Sequence, residues 1–78
     1  MIRYKKIRTE DNWIVYSYEP DDSGDVGEIA INIVTGNTEV LKRYKDVKVD
    51  IYCGLVFSRL RSFHESGNYE ESGYIAWC

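Results

Sequence analysis

A chain of 78 residues with 44% hydrophobic and 14% aromatic side chains is long enough for one domain and too apolar to be disordered. A domain this small buries only about 60–65% of the surface of its unfolded chain, so association with a second chain would add to its stability. Its net charge of −3 repels the nucleic-acid backbone, which argues against a nucleic-acid partner. We therefore expect a single domain over residues 1–78 that binds protein.

The N-terminal residues 1–11 are charged where a signal peptide would be apolar, and the sequence has no run of about 18 apolar residues that could span a membrane. We therefore expect a soluble cytoplasmic protein with no membrane partner. In that compartment Cys53 and Cys78 are expected to remain reduced thiols rather than to form a disulfide.

Charge is segregated along the first third of the chain. Four basic residues open the sequence: Arg3, Lys5, Lys6 and Arg8. The charged residues from Glu10 to Glu28 are then all carboxylates. We expect the two blocks to neutralise each other, so that the basic block needs no outside partner.

Residues 2–8 alternate loosely between apolar and charged side chains, which predicts a strand, and their lysines are typical of an exposed sheet edge. Turn-forming residues follow at 9–12, and residues 13–18 are strong strand formers, so a hairpin is predicted. The polar stretch 20–27, with its proline, glycines and aspartates, predicts a loop that separates this hairpin from the next strand.

Residues 28–34 alternate most regularly, with three isoleucines on one face, and predict the third strand. A tight hairpin turn is expected around Gly36, where glycine accepts a positive φ, and the chain then returns antiparallel. A two-residue loop would place Val40 opposite Ile33, whereas an added bulge residue would place Leu41 there. The sequence leaves both registers open.

Residues 47–66 form the one segment whose apolar side chains repeat at helical spacing. The predicted core-facing stripe comprises Val49, Tyr52, Val56, Leu60 and Phe63. Asp46 and Asp50 can each cap the first turn, so the helix begins at Val47 or at Ile51, and Asp46 is the preferred cap. Gly67 ends the helix, because glycine adopts the left-handed conformation of a C-terminal cap.

A short C-terminal strand is predicted over residues 74–77, after a loop over 69–73, and its pairing partner is left open. The expected fold class is therefore α+β: an antiparallel β-meander of about four strands, one amphipathic helix packed on it, and this short strand. No linker or internal repeat divides the chain.

Residues that could hold a metal ion or act in catalysis are few. The acidic loop 21–28 offers oxygen ligands, but it lacks the glycine and the terminal glutamate of a calcium-binding loop. Cys53 and His64 are eleven residues apart, about 16 Å along the predicted helix, and cannot bind one zinc ion. With a single histidine and no base beside Cys53, we expect no catalytic, metal or cofactor site and no enzymatic activity.

The predicted helix carries more apolar surface than one sheet can cover. Its apolar arc spans about 240°, whereas contact with a sheet requires little more than about 100°. Phe57 lies outside the core-facing stripe, beside the small residues Gly54 and Ser58, which would let a second backbone approach closely. Arg59 could anchor a carboxylate of the partner. The candidate interface residues of a homodimer are therefore Phe57, Gly54, Ser58, Arg61, His64 and Arg59.

These patterns indicate a small, soluble, non-enzymatic protein-interaction module that forms a homodimer or a higher oligomer and has no identifiable small-molecule ligand. The first alternative is a nucleic-acid-binding module that uses the basic N-terminal strand, with Tyr4 and Tyr16 or Tyr18 as stacking platforms. The second alternative is a small acidic regulator or inhibitor protein that mimics nucleic acid through its acidic loop.

Overall fold

A computed structural model describes residues 1–20, 24–43 and 51–76 of the chain. These residues form, in chain order, β1 (Ile2–Glu10), β2 (Trp13–Pro20), β3 (Gly27–Asn32), β4 (Thr38–Lys42), α1 (Ile51–Ser66) and β5 (Ser72–Ile75). The strands make one antiparallel sheet in the order β4-β3-β2-β1-β5, and α1 packs on one of its faces. The predicted α+β fold with a short C-terminal strand is thereby confirmed.

The first hairpin follows the predicted boundaries closely. β1 and β2 pair from Ile2 opposite Pro20 to Glu10 opposite Trp13. Asp11 turns the chain between the two strands with a φ of 51°, a left-handed conformation that aspartate tolerates better than most residues. The cluster of turn-forming residues therefore has the role that the sequence predicts for it.

β1 is not the edge strand that its lysines predict, because β5 pairs with residues 2–5 of it and becomes the edge itself. β5 begins at Ser72, before the predicted start. The second residue of β5, Gly73, accounts for this earlier start. A Cβ there would lie 2.5 Å from the Tyr4 hydroxyl oxygen, so only glycine lets the strand approach β1 at this point. Residues 77–78, the end of the predicted strand and one half of the cysteine pair, lie outside the described residues.

The hairpin between β3 and β4 differs from both predicted registers. β3 ends at Asn32, earlier than predicted, and Ile33 lies in the turn, where it is 39% exposed. Val40 pairs with Ile29. Neither Val40 nor Leu41 therefore lies opposite Ile33, and both predicted registers are wrong.

The side chain of Asn32 is the cause of the longer turn. Its Oδ1 accepts hydrogen bonds from the backbone N–H groups of Val34 at 2.9 Å and Thr35 at 3.1 Å. Gly36, with a φ of 80°, then donates its N–H to the Asn32 carbonyl at 2.8 Å. Residues 33–37 thus form a turn that the asparagine stabilises, and a two-residue hairpin loop would lose these bonds.

α1 ends as the sequence predicts, at a glycine cap. Gly67 has a φ of 77°, and its N–H donates to the Phe63 carbonyl at 2.8 Å. Residues 44–50 lie outside the described part of the chain. The predicted N-terminal caps of the helix, Asp46 and Asp50, are among these residues.

The core lies between α1 and one face of the sheet. From the predicted helical stripe, Val56 and Leu60 are 0% exposed and Phe63 is 4% exposed. The sheet contributes alternate residues of its strands: Ile2, Tyr4, Ile14, Tyr16, Tyr18, Ile29, Ile31 and Ile75. Burial of a large apolar side chain stabilises a fold by about 1.5–3 kcal/mol, so the stripe of α1 is what closes the core of this small sheet.

Leu60→Ala should lower the free energy of unfolding by about 2–5 kcal/mol, because it removes fully buried methyl groups and leaves a cavity in the core. Urea unfolding followed by circular dichroism measures the change. Ser58→Ala, at an exposed position of α1, is the control and should stay within about 0.5 kcal/mol of the unchanged protein. Equal unfolding midpoints for Leu60→Ala and the unchanged protein would contradict the placement of α1.

Two glycines should respond in opposite ways to an added methyl group. A Cβ on Gly27 would lie 2.4 Å from ring atoms of Tyr18, whereas no atom lies within 4 Å of a Cβ on Gly54. Gly27→Ala should therefore destabilise the protein by about 1–3 kcal/mol through overpacking. Gly54→Ala should stabilise it by up to about 1 kcal/mol, since alanine is the better helix former. Thermal unfolding compares the two variants, and an unchanged midpoint for Gly27→Ala would show that the Tyr18 ring can move aside.

Candidate functional site

The two faces of the sheet differ in what covers them. α1 packs on one face, and no described element covers the other, which is here called the open face. Residues of the open face alternate with core residues along the strands and include Arg3, Lys5, Trp13, Val15, Ser17, Glu19, Glu28, Ala30, Glu39 and Tyr74. Antiparallel sheets commonly leave one face to solvent, so a partner could reach this side without displacing any described element.

Two arginines of β1 form ion pairs on the open face. Arg3 pairs with Glu19, which lies directly opposite it on β2. Arg8 bonds Glu10 at 2.9 Å and Glu28 at 3.5 Å. For these two arginines, the expected neutralisation of the basic block by the following carboxylates is confirmed. Exposed ion pairs stabilise a fold by only about 0–1 kcal/mol each, so these contacts matter more for the charge of the surface than for the stability of the protein.

Glu19 connects the end of β2 to the loop that follows it. One of its carboxylate oxygens accepts a hydrogen bond from Arg3, and the other accepts the N–H of Gly24 at 2.8 Å. The hydrogen bond from Arg3, followed by that from Gly24, holds the pKa of the Glu19 carboxyl below its usual value. Glu19 is therefore a charged acceptor that the fold itself already uses.

A groove of about 210 Å³ lies at one end of the open face. The groove, called the Trp13 groove from here on, is lined by Glu10, Asp11, Trp13, Val15, Ala30, Glu39 and Leu41. Val15 and Ala30 are only 2% and 3% exposed, although α1 lies on the other side of the sheet. Leu41 is 45% exposed, so the groove presents an apolar side chain to solvent above a buried floor.

A β-bulge in β4 brings Leu41 into this groove. Lys42 pairs with Glu28 and Val40 pairs with Ile29, so Leu41 is an extra residue between two ladder pairs. A bulge changes the direction of the side chain that it carries. Val40, the preceding residue, packs against the core. The same short strand therefore contributes to both the core and the groove.

A wider cleft, of about 470 Å³, lies at the other end of the open face. It is lined by Arg3, Tyr4, Lys5, Ser17, Glu19, Val26 and Ser72. The ion pair of Arg3 and Glu19 belongs to this lining, so these charges are already matched within the chain. Lys6, another base of the N-terminal block, forms an ion pair with Glu71 at 2.9 Å. Glu71 lies outside the acidic block of residues 10–28 that was expected to neutralise the bases.

The predicted dimer residues lie on α1, on the opposite side of the sheet from the open face. Gly54, Ser58 and Arg61 are exposed, and no atom lies within 4 Å of a Cβ on Gly54. Phe57 is half-buried because it packs against the core. The surface of α1 therefore has small residues beside a partly exposed phenylalanine, as expected. The use of this surface as a dimer interface stays a prediction.

His64 and Arg59, the other two predicted interface residues, contact other parts of the chain. His64 Nδ1 lies 2.9 Å from the Tyr69 hydroxyl, and a Cβ on Gly36 would lie 2.8 Å from the imidazole ring. The Arg59 guanidinium lies over the Tyr4 ring, 5.8 Å from its centroid, where a cation–π interaction contributes about 0.5–2 kcal/mol. Arg59 therefore helps to hold α1 on the sheet, and His64 contacts the segment after α1 and the turn between β3 and β4, in addition to any role in a dimer.

The tyrosines that were expected as nucleic-acid stacking platforms are buried beneath α1. Tyr4 is 1% exposed, and Tyr16 and Tyr18 are 0% exposed. The Tyr4 hydroxyl donates to a Glu70 carboxylate oxygen at 2.8 Å, and the Tyr16 hydroxyl donates to the Glu70 carbonyl at 2.7 Å. Burial raises the pKa of Tyr16, and burial followed by the bond to Glu70 raises the pKa of Tyr4. The stacking expectation is wrong, because strand alternation directs these rings into the core.

Within residues 1–20, 24–43 and 51–76, no group of three or more His, Cys, Asp or Glu side chains is arranged to hold a metal ion. The candidate calcium loop begins with residues 21–23, which lie outside that part of the chain. Among the described residues, no helix combines the length and the apolar character that crossing a membrane requires.

Comparison of the chain with models of known protein families, with curated proteins and with solved structures finds no match. Any proposal about function therefore rests on the surfaces described above.

The Trp13 groove is the surface that the sequence analysis missed. A signal was present in β2, where Trp13 and Val15 lie on one side of the strand and Ile14 and Tyr16 on the other. A strand that is apolar on both sides indicates that something packs on its second face as well. The partner residues Ala30 and Leu41 come from other strands, so the groove itself required the structure.

The ion pair of Arg3 with Glu19 predicts a pH dependence. Because the folded-state pKa of Glu19 is lowered, the pair stabilises the fold above the ordinary glutamate pKa of about 4.3, and this contribution is lost as the pH falls through the lower folded-state value. In Arg3→Gln the Glu19 carboxyl should titrate at a higher pH, as measured by its carbon chemical shift in NMR. Lys5→Gln, which removes a charge from the same strand, is the control. An unchanged Glu19 pKa in Arg3→Gln would contradict the pairing.

Proposed function

We propose that the chain is a non-enzymatic protein-interaction module that docks a segment of a partner protein in the Trp13 groove. The observation that supports the proposal is the apolar lining of this groove on a face that α1 leaves uncovered. Leu41 is 45% exposed there, beside the half-buried ring of Trp13. Apolar side chains that line a concave exposed surface often mark interaction sites in soluble proteins, whereas isolated ones do not.

The size of the groove favours a protein side chain over a metabolite. Pockets that bind small molecules usually enclose about 300–1,000 Å³, whereas the Trp13 groove encloses about 210 Å³. Tryptophan is among the residues that most often dominate the binding energy of protein interfaces. Val15 and Ala30 are held by strand pairing beneath it, so the floor is preformed and binding would have to order few side chains.

Self-association through α1 is a second candidate, with Phe57 and Gly54 at its centre. The open space above Gly54 and the half-buried ring of Phe57 favour it, because together they would let a second helix approach closely. A small domain also gains stability from such a contact. Since α1 and the open face lie on opposite sides of the sheet, a homodimer formed through α1 would leave the Trp13 groove accessible.

The two alternative classes have less support from the structure. Nucleic-acid binding through β1 would require Arg3 and Arg8 to exchange their bonds with Glu19 and Glu28 for phosphate contacts. The tyrosines that were expected to stack on bases are in the core. A small acidic regulator would act through its acidic loop, and residues 21–23 of that loop lie outside the described part of the chain.

Leu41→Glu and Gly54→Lys test the two surfaces with one substitution each. Both positions are exposed, so both variants should remain folded, with stabilities within about 1 kcal/mol of the unchanged protein. Leu41→Glu places a charge in the Trp13 groove, whereas Gly54→Lys blocks close approach to α1. Affinity capture from a native cell extract, together with sedimentation at high micromolar concentration, compares both variants with the unchanged protein.

If the Trp13 groove is the docking surface, Leu41→Glu should lose a captured protein that Gly54→Lys retains. Loss of a dimer in Gly54→Lys alone would instead identify α1 as the contact surface. Monomeric sedimentation and identical captured proteins for all three chains would contradict the proposal.

A further inference from the structure

The rim of the Trp13 groove has two carboxylates that lack a hydrogen-bond or ion-pair partner among the described residues. Glu39 lies on β4 at one side of the groove, and Asp11 lies in the turn between β1 and β2 at the other. Both are exposed, and neither carboxylate makes a hydrogen bond or an ion pair with the described residues. Glu10, the third carboxylate of the rim, bonds Arg8 at 2.9 Å. An apolar floor is thus bordered by negative charge on two sides.

We infer that the Trp13 groove binds a basic segment of its partner, in which an arginine or a lysine stands next to a large apolar residue; this rests on the function proposed above. The long stem of such a residue packs along apolar surface while its cation remains in water, which matches a floor of Val15 and a rim of carboxylates. A cation is also attracted to the face of a tryptophan ring. Hydrogen bonds between a guanidinium or ammonium group and a carboxylate are charge-assisted and therefore stronger than neutral ones.

Arg8, on β1 beside the groove, is a cation that would oppose a basic partner. Its guanidinium is already bonded to Glu10 at 2.9 Å and to Glu28 at 3.5 Å, so its charge is compensated within the chain. The charges that remain for a partner are those of Asp11 and Glu39. Lys42, the exposed residue after Leu41, lies opposite Glu28 on β3. The residues that line the groove therefore carry negative charge only, and an acidic segment would be repelled by them.

The backbone fixes the positions of these two carboxylates before a partner binds. Asp11 occupies the left-handed position of a tight turn, and Glu39 is held opposite Ala30 by the ladder between β3 and β4. Groups on a fixed backbone lose only side-chain freedom on binding. Because exposed ion pairs contribute little affinity, we expect charge to select the partner and the burial of the exposed parts of Leu41 and Trp13 to supply most of the binding energy.

Three capped hexapeptides test the inference: one alternates leucine with arginine, one leucine with glutamine, and one leucine with glutamate. Each is titrated into isotope-labelled protein, and the NMR shifts of the Trp13, Ala30 and Leu41 amides report binding at the groove. The leucine–arginine peptide should bind at least about tenfold more tightly than the leucine–glutamate peptide. Its affinity should also fall as salt is added, because the contacts of the rim are exposed to solvent.

Glu39→Gln and Glu65→Gln provide a matched pair of variants. They remove the same charge, but Glu65 lies on the exposed side of α1, away from the groove. Glu39→Gln should weaken binding of the leucine–arginine peptide by about threefold, and Glu65→Gln should leave it unchanged. Equal weakening by both variants would show that only the net charge of the protein affects peptide binding, and it would overturn the inference.

Equal affinities for the leucine–arginine and leucine–glutamine peptides would overturn the preference for a basic partner while leaving the Trp13 groove as a docking surface. Absence of shifts at the three groove amides with every peptide would also overturn the inference. The comparison of Leu41→Glu with Gly54→Lys then decides the proposed function separately, because it removes the apolar side chain of Leu41 and measures capture of a natural partner instead of a peptide.

Discussion

A single helix can cover only one face of this five-stranded sheet, and the rest of the structure depends on that constraint. The stripe of α1 centred on Val56 and Leu60 excludes water from the core-facing residues of β1 and β2, three of which are tyrosines: Ile2, Tyr4, Ile14, Tyr16 and Tyr18. A buried hydroxyl group without a partner would cost about 1–3 kcal/mol. The segment after α1 prevents this cost, because Glu70 accepts a hydrogen bond from Tyr4 with its carboxylate and from Tyr16 with its backbone carbonyl. The connection between α1 and β5 is therefore part of what makes an aromatic core possible.

The same constraint determines the composition of the open face. A face that stays in water cannot be apolar throughout, and Arg3 and Arg8 of β1 form ion pairs on it. Apolar side chains collect instead where β2, β3 and β4 lie side by side, and there Val15 and Ala30 become almost fully buried without a helix above them. Leu41 remains exposed beside them. A partner that covered this end of the open face would bury the exposed part of Leu41 against a floor that is already dry.

The sequence predicts those features of the fold that depend on neighbouring residues. Strand alternation and helical spacing locate β1, β2 and α1 up to its cap at Gly67, because both patterns are local. The register between β3 and β4 is not predicted, since the Asn32 side chain stabilises a longer turn that competes with the tight hairpin. The pairing of β5 with β1 is not predicted either, because it joins segments at opposite ends of the chain. The Trp13 groove needs a bulge at Leu41, and that bulge exists only in the observed register of β3 and β4.

Two surfaces on opposite sides of one sheet can act without competing. The contact of Arg59 with Tyr4 holds α1 on the sheet, and that of His64 with Tyr69 joins α1 to the segment that follows it, so a second chain could cover Gly54 without disturbing the open face. A homodimer formed through α1 would then carry two Trp13 grooves that face away from each other. A partner with two basic segments far enough apart would bind such a dimer more tightly than a monomer, because its second binding step would be intramolecular. Self-association and partner binding would in that case reinforce each other, although no residue belongs to both surfaces.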